Sequence, residues 1–249
     1  MPEGADTEMK RDNQKKEKRV VITDIKKMLN DESPFRIKEA YNLVRTKLLF
    51  TAKGEKCPVY AVTSSKNDEG KSINSINMAI SFAMAGKKTL IIDADLRNPT
   101  LHKYFRLSSR PGLSEVLAKI QGKINIVETE QDNLFFLRAG AIPPNPAELL
   151  GSKTFGEILK YLEEKFDCIF VDLPPIGIVA DAAIINEYIT GYILVVRAME
   201  MELSEVKWNV DKLKSFNAKL AGFLLNDVAE TSANHLGYGY GYYGYYEPE

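Results

Sequence analysis

Pro58-Val-Tyr-Ala-Val-Thr-Ser-Ser-Lys-Asn-Asp-Glu-Gly-Lys-Ser72 decides the fold, because an apolar run changes here into a polar loop that opens a helix. The β-branched run Val59 to Thr63 predicts a buried strand. A helix is expected over 71–86, and a second apolar strand ending in acidic residues follows it. A strand, a tight turn and a helix in this order are typical of a phosphate-binding loop.

The last three residues of this stretch carry the chemistry expected of a nucleotide site. Gly70 lets the backbone approach a phosphate closely, and Lys71 would reach the β- and γ-phosphates. The Ser72 hydroxyl would bind Mg²⁺. The first glycine of the usual pattern is missing, since Ser65 stands five residues before Gly70. A glycine-lysine-serine tripeptide also begins ordinary helices, so it is the flanking strands that favour a nucleotide site.

The composition predicts one large α/β domain. The chain has 249 residues, of which 45% are hydrophobic and 27% charged. Its formal net charge of −1 gives no general attraction for anionic lipid or nucleic acid, and we expect no nucleic-acid partner. No apolar stretch reaches about 18 residues without a charge, so we expect a soluble, cytoplasmic protein that reaches the membrane through a partner. Two cysteines, Cys57 and Cys168, do not suggest a disulfide framework, and zinc-site spacings are absent.

Acidic residues follow two further predicted strands, at the edge of the sheet where doubly wound folds bind ligands. The continuous apolar run that ends at Asp93 is what a parallel strand covered on both faces requires. Alternation would point Asp93 and Asp95 the same way if the strand continued through Asp95. The strand 167–172 ends in Asp172, as in a Walker B strand whose carboxylate holds Mg²⁺ directly or through water. A helix cap or a turn is the alternative use of the first two aspartates.

Further helices and strands alternate along the chain and predict a mostly parallel sheet with helices on both faces. Helices are expected over 36–50, 113–119, 153–165 and 204–218, and strands over 88–93, 134–138, 191–196 and 220–225. The periodicity predicts buried faces made of Ile37, Tyr41, Val44 and Leu48 in the first helix and of Val206, Val210 and Leu213 in the last.

Residues 237–249 are glycine-spaced tyrosines, which cannot form a core because glycine raises the ordering cost and supplies nothing to pack. Six tyrosines lie here: Tyr238, Tyr240, Tyr242, Tyr243, Tyr245 and Tyr246. Base stacking would normally come with interleaved arginine or lysine, and this segment contains neither. Exposed phenols beside an ATP site suit a kinase substrate. We therefore predict a polar tail over 1–35, a P-loop kinase domain over 36–236 and a flexible tyrosine tail over 237–249.

These motifs in combination resemble those of the bacterial protein-tyrosine kinases (BY-kinases) of the capsule and exopolysaccharide type. More narrowly, the chain is similar to the free-standing cytoplasmic kinase of Gram-positive bacteria over roughly 36–249. The resemblance is carried by Glu69-Gly-Lys-Ser72, Leu90-Ile-Ile-Asp-Ala-Asp-Leu-Arg-Asn-Pro99, Walker B at Asp172, Arg110-Pro-Gly-Leu-Ser114, Gly140 to Leu150 and the tyrosine tail. It implies a single Walker-type P-loop ATPase domain that uses ATP and Mg²⁺.

The resemblance also implies roles for individual residues. Lys71 would bind phosphates, while Ser72, Asp93 and Asp172 would hold Mg²⁺. Asp93 would also accept the proton of the incoming phenol or position it, and Asp95 would support the metal shell or the substrate. Nucleotide contacts would come from Lys66, Asn67, Asp68, Glu69, Gly70, Lys71, Ser72 and Ile73 along the loop, and from Asn226 at the adenine.

Two departures from the family pattern concern the loop and the assembly state. Asn67-Asp68 stand where the family commonly has Pro-Gly, which would alter the turn and adds a carboxylate near phosphate. The family's ring-assembly motif Glu-x-x-Arg-x-x-Arg is represented by Glu39, Asn42 and Arg45, so its first arginine is lost. The expected partners are further copies of the chain in a homo-oligomer, exogenous protein-tyrosine substrates, and a membrane-spanning modulator whose cytoplasmic tail activates the kinase.

The leading hypothesis is an ATP-dependent protein-tyrosine autokinase that phosphorylates the tails of neighbouring copies and regulates capsular or exopolysaccharide synthesis or export. The alternative is a partition or septum-positioning ATPase, a nucleotide-gated switch on DNA or membrane. Lys66 favours the alternative, because such ATPases place there a lysine that reaches across a dimer. The tyrosine tail and the Asp-Ala-Asp-Leu-Arg stretch oppose it. A third hypothesis is a catalytically silent scaffold in a polysaccharide export complex.

Overall fold

A seven-stranded sheet forms the centre of the computed structural model, which describes residues 25–198 and 200–228. Its strands are β1 (Val59–Ser64), β2 (Thr89–Asp93), β3 (Ile126–Glu128), β4 (Leu134–Leu137), β5 (Cys168–Asp172), β6 (Gly191–Arg197) and β7 (Leu220–Asn226). They lie in the order β3-β4-β2-β5-β1-β6-β7. Only the β3–β4 pair within this sheet is antiparallel. The predicted mostly parallel α/β sheet is therefore confirmed.

Helices cover both faces of the sheet, and its central strands are therefore buried on both sides. The helices are α1 (Phe35–Thr51), α2 (Lys71–Met84), α3 (Leu101–Tyr104), α4 (Leu113–Leu117), α5 (Pro146–Leu150), α6 (Lys153–Glu163), α7 (Asp181–Ile184) and α8 (Leu203–Ser215), with a 3-10 turn at Asn186–Tyr188. Along β1, Val59 and Ala61 belong to the core under α6 and α8, whereas Tyr60 and Val62 belong to the core under α1 and α2. Successive side chains of β1 thus point to opposite faces of the sheet, and the sheet divides the hydrophobic core into two layers.

The strand order places three functional strands side by side. β1 pairs with β5, and β5 pairs with β2, all parallel, so their carboxyl ends meet at one edge of the sheet. In the β2–β5 pair, Asp93 lies directly opposite Asp172. The loop from β1 into α2 leaves the same edge. This edge is where ligands of open parallel sheets bind.

The observed helices differ from the predicted ones in how much of each face is covered. Ile37 is 44% exposed and Tyr41 and Val44 are half-buried, which leaves Leu48 as the buried side chain of α1. In α8, Val206 and Val210 are also half-buried, and Asn209 is buried beside Leu213. Periodicity identifies the side of a helix that faces the domain, but it does not reveal how far the domain extends beneath it.

The residues before α1 also differ from the prediction of a polar tail over 1–35. Leu29 is buried in the core beneath α1 and α2, and its N–H donates to Asn77 Oδ1 at 2.8 Å. Residues 25–34 therefore pack against the domain, while 1–24 lie outside the described residues. The predicted tyrosine tail 237–249, with all six of its tyrosines, lies outside them as well. Among the described helices, none has the length and apolar character needed to cross a membrane.

The burial of Leu48 makes it the anchor of α1, and a matched pair of variants tests this. We expect Leu48→Ala to lower the free energy of unfolding by about 2–5 kcal/mol, because it removes buried methyl groups and leaves a cavity. The neighbouring Leu49 is 43% exposed, so Leu49→Ala should lower it by less than about 1 kcal/mol. Urea unfolding measures both. Equal losses would contradict the observed orientation of α1.

Candidate active site

The loop between β1 and α2 owes its shape to one glycine. Gly70 immediately precedes α2, and its φ of 84° lies in the left-handed region that favours glycine. A Cβ atom at this position would overlap the side-chain amide of Asn226 and crowd that of Asn74. The glycine therefore allows the carboxyl end of β7 and the first turn of α2 to close around the loop.

Asp68 occupies the position of the family glycine and adopts the backbone conformation that a glycine would have. Its φ is 64°, which aspartate tolerates better than most residues because its short polar side chain can bond locally. Asp68 therefore places an exposed carboxylate in the turn, on a backbone conformation that a glycine could also adopt. Asn67 is likewise exposed, whereas Ile73 is buried in the first turn of α2.

The side chain of Glu69 forms hydrogen bonds within the loop between β1 and α2. Its carboxylate accepts hydrogen bonds from the N–H groups of Ser65 at 2.7 Å and Lys66 at 3.0 Å. Burial raises the pKa of Glu69, and the two backbone N–H donors oppose that rise. Asn226 Nδ2 donates to the Glu69 carbonyl at 3.1 Å. The predicted adenine residue thus lies against the loop itself.

Lys71 and Asp172 form a buried ion pair at the edge of the sheet. Lys71 Nζ lies 2.8 Å from Asp172 Oδ2 and 3.8 Å from Asp95 Oδ2, and its side chain is 8% exposed. Burial alone would lower the pKa of Lys71, but the charges of Asp172 and Asp95 raise it above its usual value. The ammonium therefore remains charged inside the site.

Two hydroxyl groups complete the surroundings of Asp172. Ser72 Oγ donates to Asp172 Oδ2 at 3.1 Å, and Ser75 Oγ donates to Asp172 Oδ1 at 2.8 Å. Thr100 Oγ1 lies 3.2 Å from Ser72 Oγ. Sequence reasoning missed Ser75 and Thr100. The spacing of Ser75, one helical turn after Lys71, was the only signal for it, and Thr100 carried none.

Asp93 is fully buried beside these groups, but it is not bonded to the lysine ammonium. Its Oδ2 accepts a hydrogen bond from the Leu101 N–H at 3.1 Å, while Oδ1 has no partner. Burial, followed by the charge of Asp172, raises its pKa well above the ordinary value. β2 ends at Asp93, so the condition for Asp93 and Asp95 to point the same way is not met. Burial raises the pKa of Asp95 too, and its Oδ1 accepts the Asn98 N–H at 3.0 Å.

The residues present fit a magnesium ion held by few protein ligands. Among the described residues, no three histidine, cysteine, aspartate or glutamate side chains are spaced to hold a metal ion together. Mg²⁺ commonly takes one or two carboxylates and completes its shell with water and substrate phosphates. Ser72 Oγ and Asp172 Oδ2 are adjacent, and Asp93 contributes a buried oxygen without a partner. The role of Asp93 as a metal ligand stays a prediction.

Two further contacts brace the segments around the site. Lys66 Nζ lies 2.6 Å from Glu205 Oε1 of α8 in the same chain, although its side chain is 60% exposed. Arg97 Nε and Nη2 each donate at 3.0 Å to a different oxygen of Asp181, which is fully buried. This bidentate pair joins the segment after β2 to the start of α7. Sequence reasoning did not find it, because Asp181 begins a helix instead of ending a strand, and no local pattern marks its partner.

Comparison with known proteins finds similarity over most of the chain. A family model described as an AAA domain matches residues 58–217. The tyrosine-protein kinase CpsD of Streptococcus agalactiae is 36% identical over 206 residues, which are 82% of this chain and 89% of that protein. The chimerical protein CapA2B2 superposes with a TM-score of 0.74 at 32% identity, covering 80% of this chain and 87% of that one. For the kinase domain of the Escherichia coli tyrosine kinase ETK, the TM-score is 0.74 and the identity 31%, over 78% and 76% of the two chains.

The parallel sheet and its glycine-lysine-serine loop define a nucleotide-binding protein of the P-loop ATPase class. Within that class, the chain belongs to the family of bacterial protein-tyrosine kinases. The predicted family and class of enzyme are therefore confirmed. The septum site-determining protein MinD of Pyrococcus horikoshii, solved with Mg-ADP, shares the fold with a TM-score of 0.58 at 23% identity, over 72% of this chain and 77% of that one.

We expect the carboxylate of Asp93 to destabilise the folded chain and the carboxylate of Asp181 to stabilise it. Without nucleotide and Mg²⁺, we expect Asp93→Asn to raise the free energy of unfolding at pH 7 by about 1–3 kcal/mol, because it removes a buried, incompletely paired charge. When the pKa of a carboxyl group rises on folding, that group lowers the free energy of unfolding increasingly as the pH climbs above the group's pKa in the unfolded chain. The gain should therefore vanish below about pH 4, where aspartate is protonated in both states. Chemical unfolding at both pH values measures it.

Asp181→Asn is the matched contrast, since Asp181 is equally buried but fully paired with Arg97. The free energy of unfolding of the Asp181→Asn variant should be lower than that of wild type by about 1–3 kcal/mol, because the change leaves the charge of Arg97 without its partner. A stability loss from Asp93→Asn as large as that from Asp181→Asn would show that Asp93 is a structural residue.

The carboxylate of Asp68 should weaken nucleotide binding by its charge alone. We expect Asp68→Asn and Asp68→Gly to tighten ADP binding alike, by about 2-fold to 5-fold at low salt and by less at high salt. The effects should be equal because the backbone of Asp68 already holds the conformation of a glycine. Isothermal titration measures the dissociation constants. If only Asp68→Gly bound ADP more tightly, the conformation of the turn and not the charge of Asp68 would be responsible.

Proposed function

We propose that this chain is an ATP- and Mg²⁺-dependent protein-tyrosine autokinase that phosphorylates the tyrosine tail of a neighbouring copy. One observation carries the proposal: Lys71 Nζ and Ser72 Oγ contact the same oxygen of Asp172, at 2.8 Å and 3.1 Å, where β1 and β5 end. A phosphate-binding lysine, a hydroxyl and a carboxylate at one point are the groups that phosphoryl transfer requires.

The transfer exchanges one oxygen–phosphorus bond for another. The tyrosine phenol oxygen attacks the γ-phosphorus of ATP, the bond from that phosphorus to the β–γ bridging oxygen breaks, and ADP leaves. Lys71 neutralises the phosphate oxygens, and Ser72 and Asp172 would hold Mg²⁺, which adds positive charge there. Asp95, at 3.8 Å from Lys71, supports the charge of the lysine.

Asp93 is the proposed acceptor of the phenol proton. A phenol of pKa near 10 loses its proton more readily to a base whose own pKa has been raised toward neutrality. The buried position of Asp93 opposite Asp172 raises its pKa in this sense. In this proposal Ser72 and Asp172 hold Mg²⁺ without Asp93, so the Asp93 Oδ1, which has no hydrogen-bond partner, receives the proton. Support for this role is therefore electrostatic as well as positional.

The similarity to the tyrosine-protein kinase CpsD, at 36% identity, disfavours a partition or septum-positioning ATPase. Within the single chain, Lys66 pairs with Glu205 at 2.6 Å, an exposed contact that neither favours nor opposes a dimer. The likeness to MinD, at 23% identity, concerns the fold alone. The kinase proposal therefore has the stronger support.

The proposed setting follows from the family and from the charge of the chain. We propose a cytoplasmic kinase that is recruited to the membrane by a modulator protein with a cytoplasmic tail. It would act on further copies of itself and on exogenous tyrosine substrates, and it would regulate capsular or exopolysaccharide synthesis or export. The net charge of −1 offers no support for a nucleic-acid partner.

The experiment mixes two forms of the full chain with ATP, Mg²⁺ and the modulator tail. One form is wild type, and the other is Lys71→Met labelled with ¹⁵N. We expect phosphotyrosine within 237–249 of the labelled chain, because the wild-type copy supplies the active site. Lys71→Met alone should transfer about 100-fold less or nothing. Mass spectrometry reports both.

Phosphate found only on the unlabelled wild-type chain would contradict transfer between copies. Wild type indistinguishable from Lys71→Met, with no phosphotyrosine in the tail, would remove the autokinase proposal and favour the scaffold.

A further inference from the structure

Two side-chain amides hold consecutive carbonyl groups of the phosphate loop. Asn226 Nδ2 donates to the Glu69 carbonyl at 3.1 Å. Asn74 donates to the Gly70 carbonyl twice, from its side-chain Nδ2 at 2.9 Å and from its backbone N–H at 3.1 Å. Within one peptide plane, the C=O and the following N–H point in opposite directions. Holding these two carbonyls therefore turns the N–H groups of Gly70 and Lys71 away from the amides. Groups of this kind, at the start of a helix, have no partner within the helix and bind phosphate.

Tyr41 of α1 determines the orientation of the Asn74 amide. The Tyr41 hydroxyl donates to Asn74 Oδ1 at 2.8 Å and accepts a hydrogen bond from Asn77 Nδ2 at 3.1 Å. Because its proton goes to Asn74, the Asn74 oxygen must face Tyr41 and the Asn74 nitrogen must face the loop. A reversed amide would bring two oxygens together at Gly70.

The same network reaches the segment before α1. Asn77 Nδ2 also donates to the Lys27 carbonyl at 3.0 Å, and Asn77 Oδ1 accepts the Leu29 N–H at 2.8 Å. Asn74 and Asn77 are 2% and 3% exposed, and all their side-chain polar atoms have partners. A buried polar network that is fully satisfied has one favoured arrangement. The orientation of Asn74 is thus built into the packing of α1 on α2.

We propose that Tyr41 is a positioning residue for the nucleotide phosphates, acting through Asn74 on the peptide between Gly70 and Lys71. None of its atoms needs to touch the nucleotide. The inference rests on the nucleotide site of the proposed function, but not on transfer to tyrosine. Nucleotide binding alone therefore tests it.

The experiment measures the affinity of the full chain for ADP and for adenosine, which lacks phosphates. We expect Tyr41→Phe to weaken ADP binding by about 3-fold to 10-fold, the loss of one net hydrogen bond, and to leave adenosine binding unchanged. Asn74→Ala should weaken ADP binding at least as much. In a double-mutant cycle, Tyr41→Phe should add nothing in the Asn74→Ala background, because both act on the same peptide.

Tyr60→Phe is the matched control, since the Tyr60 hydroxyl donates to the Leu48 carbonyl of the same helix α1. Tyr60 is fully buried, so this change should lower the free energy of unfolding while leaving ADP affinity intact. Unchanged ADP affinity in Tyr41→Phe, additive losses in the cycle, or an equal loss in Tyr60→Phe would each overturn the proposal. Wild type that binds ADP but phosphorylates no tyrosine would instead remove only the proposed kinase reaction.

Discussion

The ion pair between Lys71 and Asp172 is the interaction on which the rest of the site depends. Its atoms lie 2.8 Å apart in a region where Asp172 is fully buried. Removing two charges from water is costly unless each finds a partner, so β1 and β5 must be neighbours and α2 must begin at their shared edge. In the proposed reaction, an arriving triphosphate would compete with Asp172 for the same ammonium. The ion pair thus holds the Lys71 side chain in place, and the ammonium can exchange Asp172 for a phosphate group.

The charges around this pair do not balance. Asp93, Asp95 and Asp172 are buried near the single ammonium of Lys71, and burial raises the pKa of Asp93 and of Asp95. Such an excess of carboxylates reduces the stability of the folded chain, and groups with perturbed pKa values gather at functional sites for this reason. A divalent cation would offset the excess. The electrostatic disadvantage of the three clustered carboxylates and their chemical use therefore have the same origin.

The strands and the phosphate loop could be predicted from the sequence because each is a local pattern. Lys71 and Asp172 are 101 residues apart, yet their meeting was predictable, since the carboxyl ends of parallel strands converge. Tyr41 and Asn74 could not be paired in this way, because a polar side chain on a helix carries no sign of which neighbour it will meet. Ile37 fits the helical period and is still half exposed. Local patterns predict elements, whereas contacts between elements need coordinates.

Helix α1 connects the loop to the outer surface of the domain. At the positions of the family's assembly motif, Asn42 donates to Glu39 at 2.7 Å, and Arg45 donates to the Ser81 carbonyl at 2.6 Å. These side chains are thus engaged within the chain, while Tyr41 on the same helix reaches the phosphate loop through Asn74. If Tyr41 positions the nucleotide phosphates as proposed, a partner that favours one placement of α1 changes nucleotide affinity. By linkage, nucleotide must change the affinity of that partner by the same factor.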